Sequence, residues 1–254
     1  MFNLFDLSGR VAVVTGSTKG MGLEMARALG QAGARVVVSG RDAAVSEKVA
    51  GALREQGIDA TGIACDIVNL DSVRAFADTV LARFGRVDAL VLNAAGSTAV
   101  GSMLDQGPEA FDEVMAGNVR GNLVLVNALA PQMIARKDGS ITFMSSIAAR
   151  RGSAMLALYS ISKGATDLAM RNLAQTLGPH NINVNSINPG PVRTDFSRDA
   201  LWGDPEREKM LAAGIPMRRI AEAVDVAGVA VLLASPAGRY ISGQTIGVDG
   251  GATA

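Results

Sequence analysis

The chain has one cysteine and one histidine in 254 residues, few aromatics and no excess of either charge, and each shortage removes an explanation. A lone thiol, Cys65, forms no intrachain disulfide and suits a reducing compartment, so a cytoplasmic location is expected. It precedes Asp66 at the end of an apolar run, where packing is its simplest role. The single histidine, His180, follows a proline in the turn-like "LGPHNINVN" with no companion ligands nearby, and no metal site is expected. Lys plus Arg and Asp plus Glu both number 24, which lacks the basic footprint of a nucleic-acid binder. No apolar run approaches the about 18 residues of a spanning helix, so no membrane partner is expected. The opening "MFNLFDLSGR" has neither the early positive charge nor the apolar stretch of a secretory leader.

What is present is aliphatic. Hydrophobic residues make up 48% against 4% aromatics, with 29 glycines, so the core of an α/β domain would be built from Ala, Val, Leu and Ile. Short apolar runs at 11–14, 35–39, 60–64, 89–92, 140–144, 183–187 and 245–248 read as strands buried on both faces of a parallel sheet. Segments of helical period separate them, at 22–32, 43–56, 70–84, 108–135, 158–178 and 222–234. Repeated βαβ units with right-handed crossovers predict one doubly wound Rossmann domain over 1–254, with a seven-stranded, mostly parallel sheet and helices on both faces. The stretch 194–215 is broken by "GDPE" and "GIP" and reads as a mobile flap.

Between the first strand and the first helix stands "TGSTKGMG". A glycine turn leading into a helix N-terminus offers free N–H groups and positive dipole to a pyrophosphate. Its spacing is G-x-x-x-G-x-G and lacks the ending of a P-loop, so taken alone it is equally a tight β–α turn. Downstream come "CD" at 65–66, "NAAG" at 93–96, "AGNVRGN" around Asn118, "SS" at 145–146, "YSISK" at 159–163, "NPGPVRTD" at 188–195 and "ISGQTIGVDGG". This ordered set resembles the short single-domain branch of the short-chain dehydrogenase/reductase family, over essentially the whole chain. Two relatives fit less well. Enoyl-reductase members space Tyr and Lys further apart, and sugar-nucleotide epimerases carry a different glycine pattern.

Tyr159 and Lys163 are four residues apart and so share a helix face. An ammonium within ~4–6 Å typically moves a pKa by about one to three units, which would bring a phenol from ~10 towards working pH. Such a group can exchange a proton with an alcohol or carbonyl oxygen. The resemblance implies Tyr159 as general acid/base and Lys163 as its tuner and a ligand of the nicotinamide ribose. It implies Ser146, rather than Ser145, as hydrogen-bond partner of the substrate oxygen, and Asn118 in a helix irregularity that completes a proton relay. The further cofactor residues it implies are Gly16, Ser17, Thr18, Lys19, Gly20, Met21, Gly22, Arg41, Asp66, Ile67, Asn93, Ala94, Gly96, Pro189, Gly190, Val192 and Thr194. Ala94 departs from the family's usual second asparagine, which loosens the expected support of the central strands. Thr194 either meets the nicotinamide carboxamide or caps a helix.

The second strand ends "VVVSGRD", with Gly40 where NAD-preferring members place an acid. Arg41 and Lys19 are the two cations at the positions a 2′-phosphate would need, so NADP is expected ahead of NAD, although Asp42 follows directly. The expected activity is interconversion of a secondary alcohol and a ketone. An NAD-dependent sugar-acid dehydrogenase, suggested by "LFDLSGR", and a non-catalytic dinucleotide-binding regulator stay open beside it. Arg150 and Arg151 either line the substrate mouth or lie in a solvated loop, and Met155, Leu156, Trp202 and Met210 are candidates for an apolar pocket. The resemblance implies a homotetramer or homodimer.

Overall fold

The fold follows from which strands are apolar on both sides. The computed structural model describes residues 3–198 and 202–254; the first two residues of the opening segment and residues 199–201 of the expected flap lie outside them. Seven strands, β1 (Val11–Val14), β2 (Arg35–Gly40), β3 (Ala60–Ala64), β4 (Ala89–Leu92), β5 (Gly139–Met144), β6 (Ile182–Pro189) and β9 (Thr245–Val248), form one sheet in the order β3-β2-β1-β4-β5-β6-β9. Every pairing in it is parallel. A two-residue pair, β7 (Val192–Arg193) with β8 (Ala221–Glu222), lies apart from it and is absent from the sequence expectation. That pair also delays the last long helix, which starts at Val224 and not at 222.

Side-chain alternation along each strand splits the core in two. Val11, Val13, Leu90, Leu92, Ile141 and Phe143 face α3 (Leu70–Phe84), α5 (Gly121–Arg136) and α6 (Ala157–Leu177). Ala12, Val14, Val36, Val38, Ala89 and Val91 face α1 (Gly20–Gln31), α2 (Ala43–Arg54) and α8 (Val224–Ala234). Both layers are sealed, so the site can form only at the strand ends. Chain order reverses between β1 and β4, and the crevice at such a reversal is where open α/β sheets bind ligands.

The helix expected over 108–135 is three pieces. α4 (Pro108–Met115) runs into one π-helical turn, Ala116–Arg120, before α5 begins. Tertiary contact accounts for the break. A Cβ on Gly117 would lie 2.6 Å from the Gly96 backbone, and one on Gly121 1.9 Å from the Ile67 carbonyl, so this turn is pressed against two loops and must widen. In the flap region, Thr194 caps a short turn at Asp195–Ser197, and α7 (Pro205–Gly214) follows with no buried residue.

Candidate active site

The glycine loop is shaped by backbone constraints that only glycine meets. Gly16 and Gly20 have φ of +61° and +57°, and a Cβ on Gly22 would fall 2.4 Å from the Gly16 carbonyl oxygen. Lys19 begins α1 without any side-chain cap, and the first turn holds no acid, so its N–H groups and dipole stay open to an anion. The opposite wall is the segment after β4. Thr15 Oγ1 accepts from the N–H groups of Asn93 and Ala94 at 3.0 and 2.9 Å, and Asn93 Nδ2 donates to the carbonyls of Thr15 and Gly16. Ser17 is fully buried, donating to Val14 O at 2.6 Å and accepting from Ser39 N, so its hydroxyl ties β1 to β2. Met21 packs on the core, and Thr18 Cγ2 lies 2.8 Å from where a Gly40 Cβ would stand. These residues fit a dinucleotide: a pinched loop, an uncapped helix N-terminus and no room for a bulkier backbone.

Four polar side chains meet beyond the ends of β4 and β5. Tyr159 and Lys163 sit one turn apart on α6, with Lys163 Nζ 5.5 Å from the tyrosine ring centre. Lys163 is buried and donates to Met144 O at 2.8 Å. Ser146 faces the Tyr159 hydroxyl, and its Oγ also accepts from Ala148 N. Ser145 turns the other way, giving its hydroxyl to the Lys163 carbonyl at 3.2 Å. Asn118 lies in the π-turn. Its Oδ1 accepts from Gly96 N at 2.8 Å, and its Nδ2 donates to Ser162 Oγ at 3.0 Å. Ser162 in turn donates to the Tyr159 carbonyl, so Asn118 is tied to the helix that carries the pair.

A family model described as enoyl-(acyl carrier protein) reductase matches residues 16–253. The bovine dehydrogenase/reductase SDR family member 4 (Bos taurus) is 38% identical over 96% of this chain and 88% of its own. The chain belongs to the short-chain dehydrogenase/reductase family. Like its relatives it is an NAD(P)-dependent oxidoreductase acting on CH–OH groups. Among solved structures, a gluconate 5-dehydrogenase from Burkholderia cenocepacia in complex with NADP and tartrate is 32% identical, with TM-score 0.93 over 98% of this chain and 97% of that one. A 7α-hydroxysteroid dehydrogenase complexed with NADH and 7-oxo glycochenodeoxycholic acid is 34% identical, with TM-score 0.93 over 99% and 98%.

Within this short-chain dehydrogenase/reductase frame, several side chains differ from expectation. Tyr159 does not have a lowered pKa. Burial pushes the phenol above its ordinary 10.0, with Ser146 pulling back only in part, and burial brings Lys163 down to about 8. Sequence spacing sets how near the ammonium stands; loss of water around both groups disfavours both charged forms. Arg150 and Arg151, by contrast, are exposed in their loop, one of the two roles left open for them. They donate to the carbonyls of Thr245 and Ala252, which fastens their loop to β9 and the C-terminal segment. Trp202 gives its Nε1–H to Thr194 O and Ser197 Oγ under the Arg198 guanidinium, while Met155 and Met210 are largely exposed. Cys65 is buried and its thiol is raised to about 12, an inert packing group.

The remaining cofactor candidates follow the carboxyl ends of β3 and β6. Asp66 accepts from Val68 N, Ile67 is buried under Gly121, and Gly190 abuts Asp249 so closely that a Cβ would stand 2.9 Å from its Cα. Pro189 ends β6, and Val192 is buried in β7. Thr194 takes the capping role through Ser197, and its methyl lies against Gly20. Lys19 pairs with Asp195 at 3.8 Å, both well exposed, and such pairs contribute little and exchange readily. Asn122 was not singled out by the sequence: buried one turn after Asn118, it donates to the Asn118 carbonyl at 3.0 Å and to the Ala94 carbonyl at 3.4 Å. It braces the segment where Ala94 replaces an asparagine, and its sequence signal was weak, because the same helix also carries Asn127, Gln132 and Arg136.

Proposed function

We propose that this enzyme interconverts a secondary alcohol and a ketone with NADP(H), Tyr159 moving the proton. The observation that carries this reading is the convergence of Ser146, Tyr159, Lys163 and Asn118, linked through Gly96 and the 93–96 segment to the glycine loop. When bound, the nicotinamide supplies or accepts the hydride. The open N-terminus of α1 would hold the pyrophosphate, with Asn93, Ala94 and Gly96 under the ribose and Asp66 and Ile67 at the adenine. Pro189, Gly190, Val192 and Thr194 would border the nicotinamide. Tyr159 is a phenol at neutral pH, the form that donates a proton to a carbonyl oxygen; Ser146 orients that oxygen. Lys163 keeps its charge below about pH 8 and there favours the phenolate left behind. Oxidation needs that phenolate first, so its rate should rise with pH from neutral and level off as Lys163 loses its proton near pH 8.

NADP is favoured over NAD by four residues. Asp42, the one acid near the end of β2, spends its carboxylate on the Val45 N–H as the cap of α2. A carboxylate-bearing residue in place of Gly40 would need the Thr18 side chain to move aside. Arg41 and Lys19 are exposed cations on the two loops that would flank a 2′-phosphate. Hydrogen bonds to charged groups are worth ~1.5–3 kcal/mol each, so Arg41→Ala is expected to lower kcat/KM for NADPH by about 10–100-fold. NADH kinetics should barely change. A wild-type preference for NADH would contradict the clamp.

The solved gluconate 5-dehydrogenase keeps a sugar-acid substrate as the second reading. A panel of simple ketones, 3-oxoacyl thioesters and keto-sugar acids, followed by NADPH oxidation, decides between them; no turnover with any would favour a regulator that binds without reacting. We further propose one domain over 1–254 with the 194–215 flap over the substrate, in a cytoplasmic homotetramer or homodimer. Exposed Phe111, Ile161 and Leu168 on α4 and α6 support a second copy packing there. Among the described residues no helix is long and apolar enough to cross a membrane.

A further inference from the structure

Behind the Ser–Tyr–Lys cluster lies a carboxylate that the reaction scheme does not use. Asp167 is on α6, one turn beyond Lys163, and only 5% exposed. Its Oδ1 accepts from Ser186 Oγ at 2.8 Å and its Oδ2 from Asn188 Nδ2 at 3.0 Å, both residues on β6. Asn188 Nδ2 also donates to the backbone carbonyl of Ser146 at 2.9 Å. Its Oδ1 accepts from Ser186 Oγ at 3.2 Å. The amide orientation is therefore determined by chemistry, because both neighbours of Nδ2 are acceptors only.

A buried carboxylate held by neutral donors is costly unless a cation shares its surroundings. The cation here is Lys163, and Asp167 is the charge that opposes loss of its proton. The groups facing Lys163 are Tyr159 and Asp167 on its own helix and the Met144 carbonyl on β5. Those facing Asp167 are Lys163 on α6 and Ser186 and Asn188 on β6, with Thr245 of β9 behind Ser186. One carboxylate thus reaches two members of the cluster by separate routes, Lys163 through charge and Ser146 through the Asn188 amide.

We propose that Asp167 and Asn188 are positioning residues for the reaction: Asp167 holds the Lys163 charge from behind, and Asn188, anchored on Asp167, fixes the backbone that presents Ser146. This rests on the reading that Ser146, Tyr159 and Lys163 are the reacting side chains.

The test uses the full-length enzyme with NADPH and a ketone it turns over. Asp167→Asn removes the charge and keeps the size; its Oδ1 can still accept from Asn188 Nδ2 while its Nδ2 donates to Ser186 Oγ, reversing that one bond. Its alkaline limb of kcat should move to lower pH by about one unit. Asn188→Ala should leave that limb in place while kcat falls about tenfold, the range of one lost positioning contact, with KM for NADPH unchanged. An unmoved limb in folded Asp167→Asn overturns the proposal, as does a limb that moves equally in both variants. Should Asp167→Asn not fold, Asn188→Ala decides, and a wild-type kcat there overturns it. Retained activity in Tyr159→Phe would instead overturn the underlying reading, so the two failures are distinguishable.

Discussion

Tyr159→Phe is expected to lose about 10²–10⁴-fold in kcat for ketone reduction, the usual worth of a positioned acid or base. The phenol oxygen faces Ser146 and stands protonated at neutral pH. The ring stays, so its packing and its place 5.5 Å from Lys163 are kept, and NADPH affinity and melting temperature should hardly change. Measuring kcat beside an NADPH titration separates these. Activity near wild type would mean another proton donor, and the assignment would fall.

Gly22→Ala should be nearly as damaging by another route. The added methyl would lie 2.4 Å from the Gly16 carbonyl oxygen, 2.5 Å from Asn93 Nδ2 and 2.9 Å from the Ser17 Cα. Two of these three are backbone atoms that cannot swing aside, so α1 must shift against the loop. Displacement of about 1 Å at a positioning element costs on the order of 10²-fold, and overpacking adds ~1–3 kcal/mol of instability. NADPH and NADH should weaken together, unlike the selective loss on removing Arg41. Gly178→Ala is the control: its φ is ordinary for a helix and its Cβ would meet open space, so kcat/KM should be unchanged. A wild-type kcat/KM in Gly22→Ala would show that the loop does not hold the cofactor tightly.

Strands were legible because burial on both faces demands continuous aliphatic runs, and such runs stand out in a chain poor in rings. All seven strands of the main sheet overlap their expected ranges, with β2 and β5 longer by one residue and β6 by three. The β7–β8 pair was invisible since two residues have no period. The irregularity that the resemblance implied at Asn118 is the π-turn before α5, but residue order alone does not explain it, because Gly117 and Gly121 press on Gly96 and Ile67 far off in sequence. Tyr159 and Lys163 announced themselves by spacing, but spacing carries no dielectric, and so the direction of the phenol's shift was misread. Asp167 was missed for a related reason. An acid on a long helix normally reads as solvated, and its partners Ser186 and Asn188 arrive 19 and 21 residues later on a strand.

The bare contact between Gly96 and Gly117 has a consequence for motion. Where two main chains touch without side chains between them, neither can open alone. The Gly96 amide, bonded to Asn118 Oδ1, is released only if the π-turn lifts, and that turn is in turn seated on the Ile67 carbonyl through Gly121. Native-state hydrogen exchange should therefore find the 94–96 and 116–121 amides opening as one cooperative unit with a common free energy. The 94–96 loop and the turn that carries Asn118 would then share one stability, so solvent reaches them both or neither.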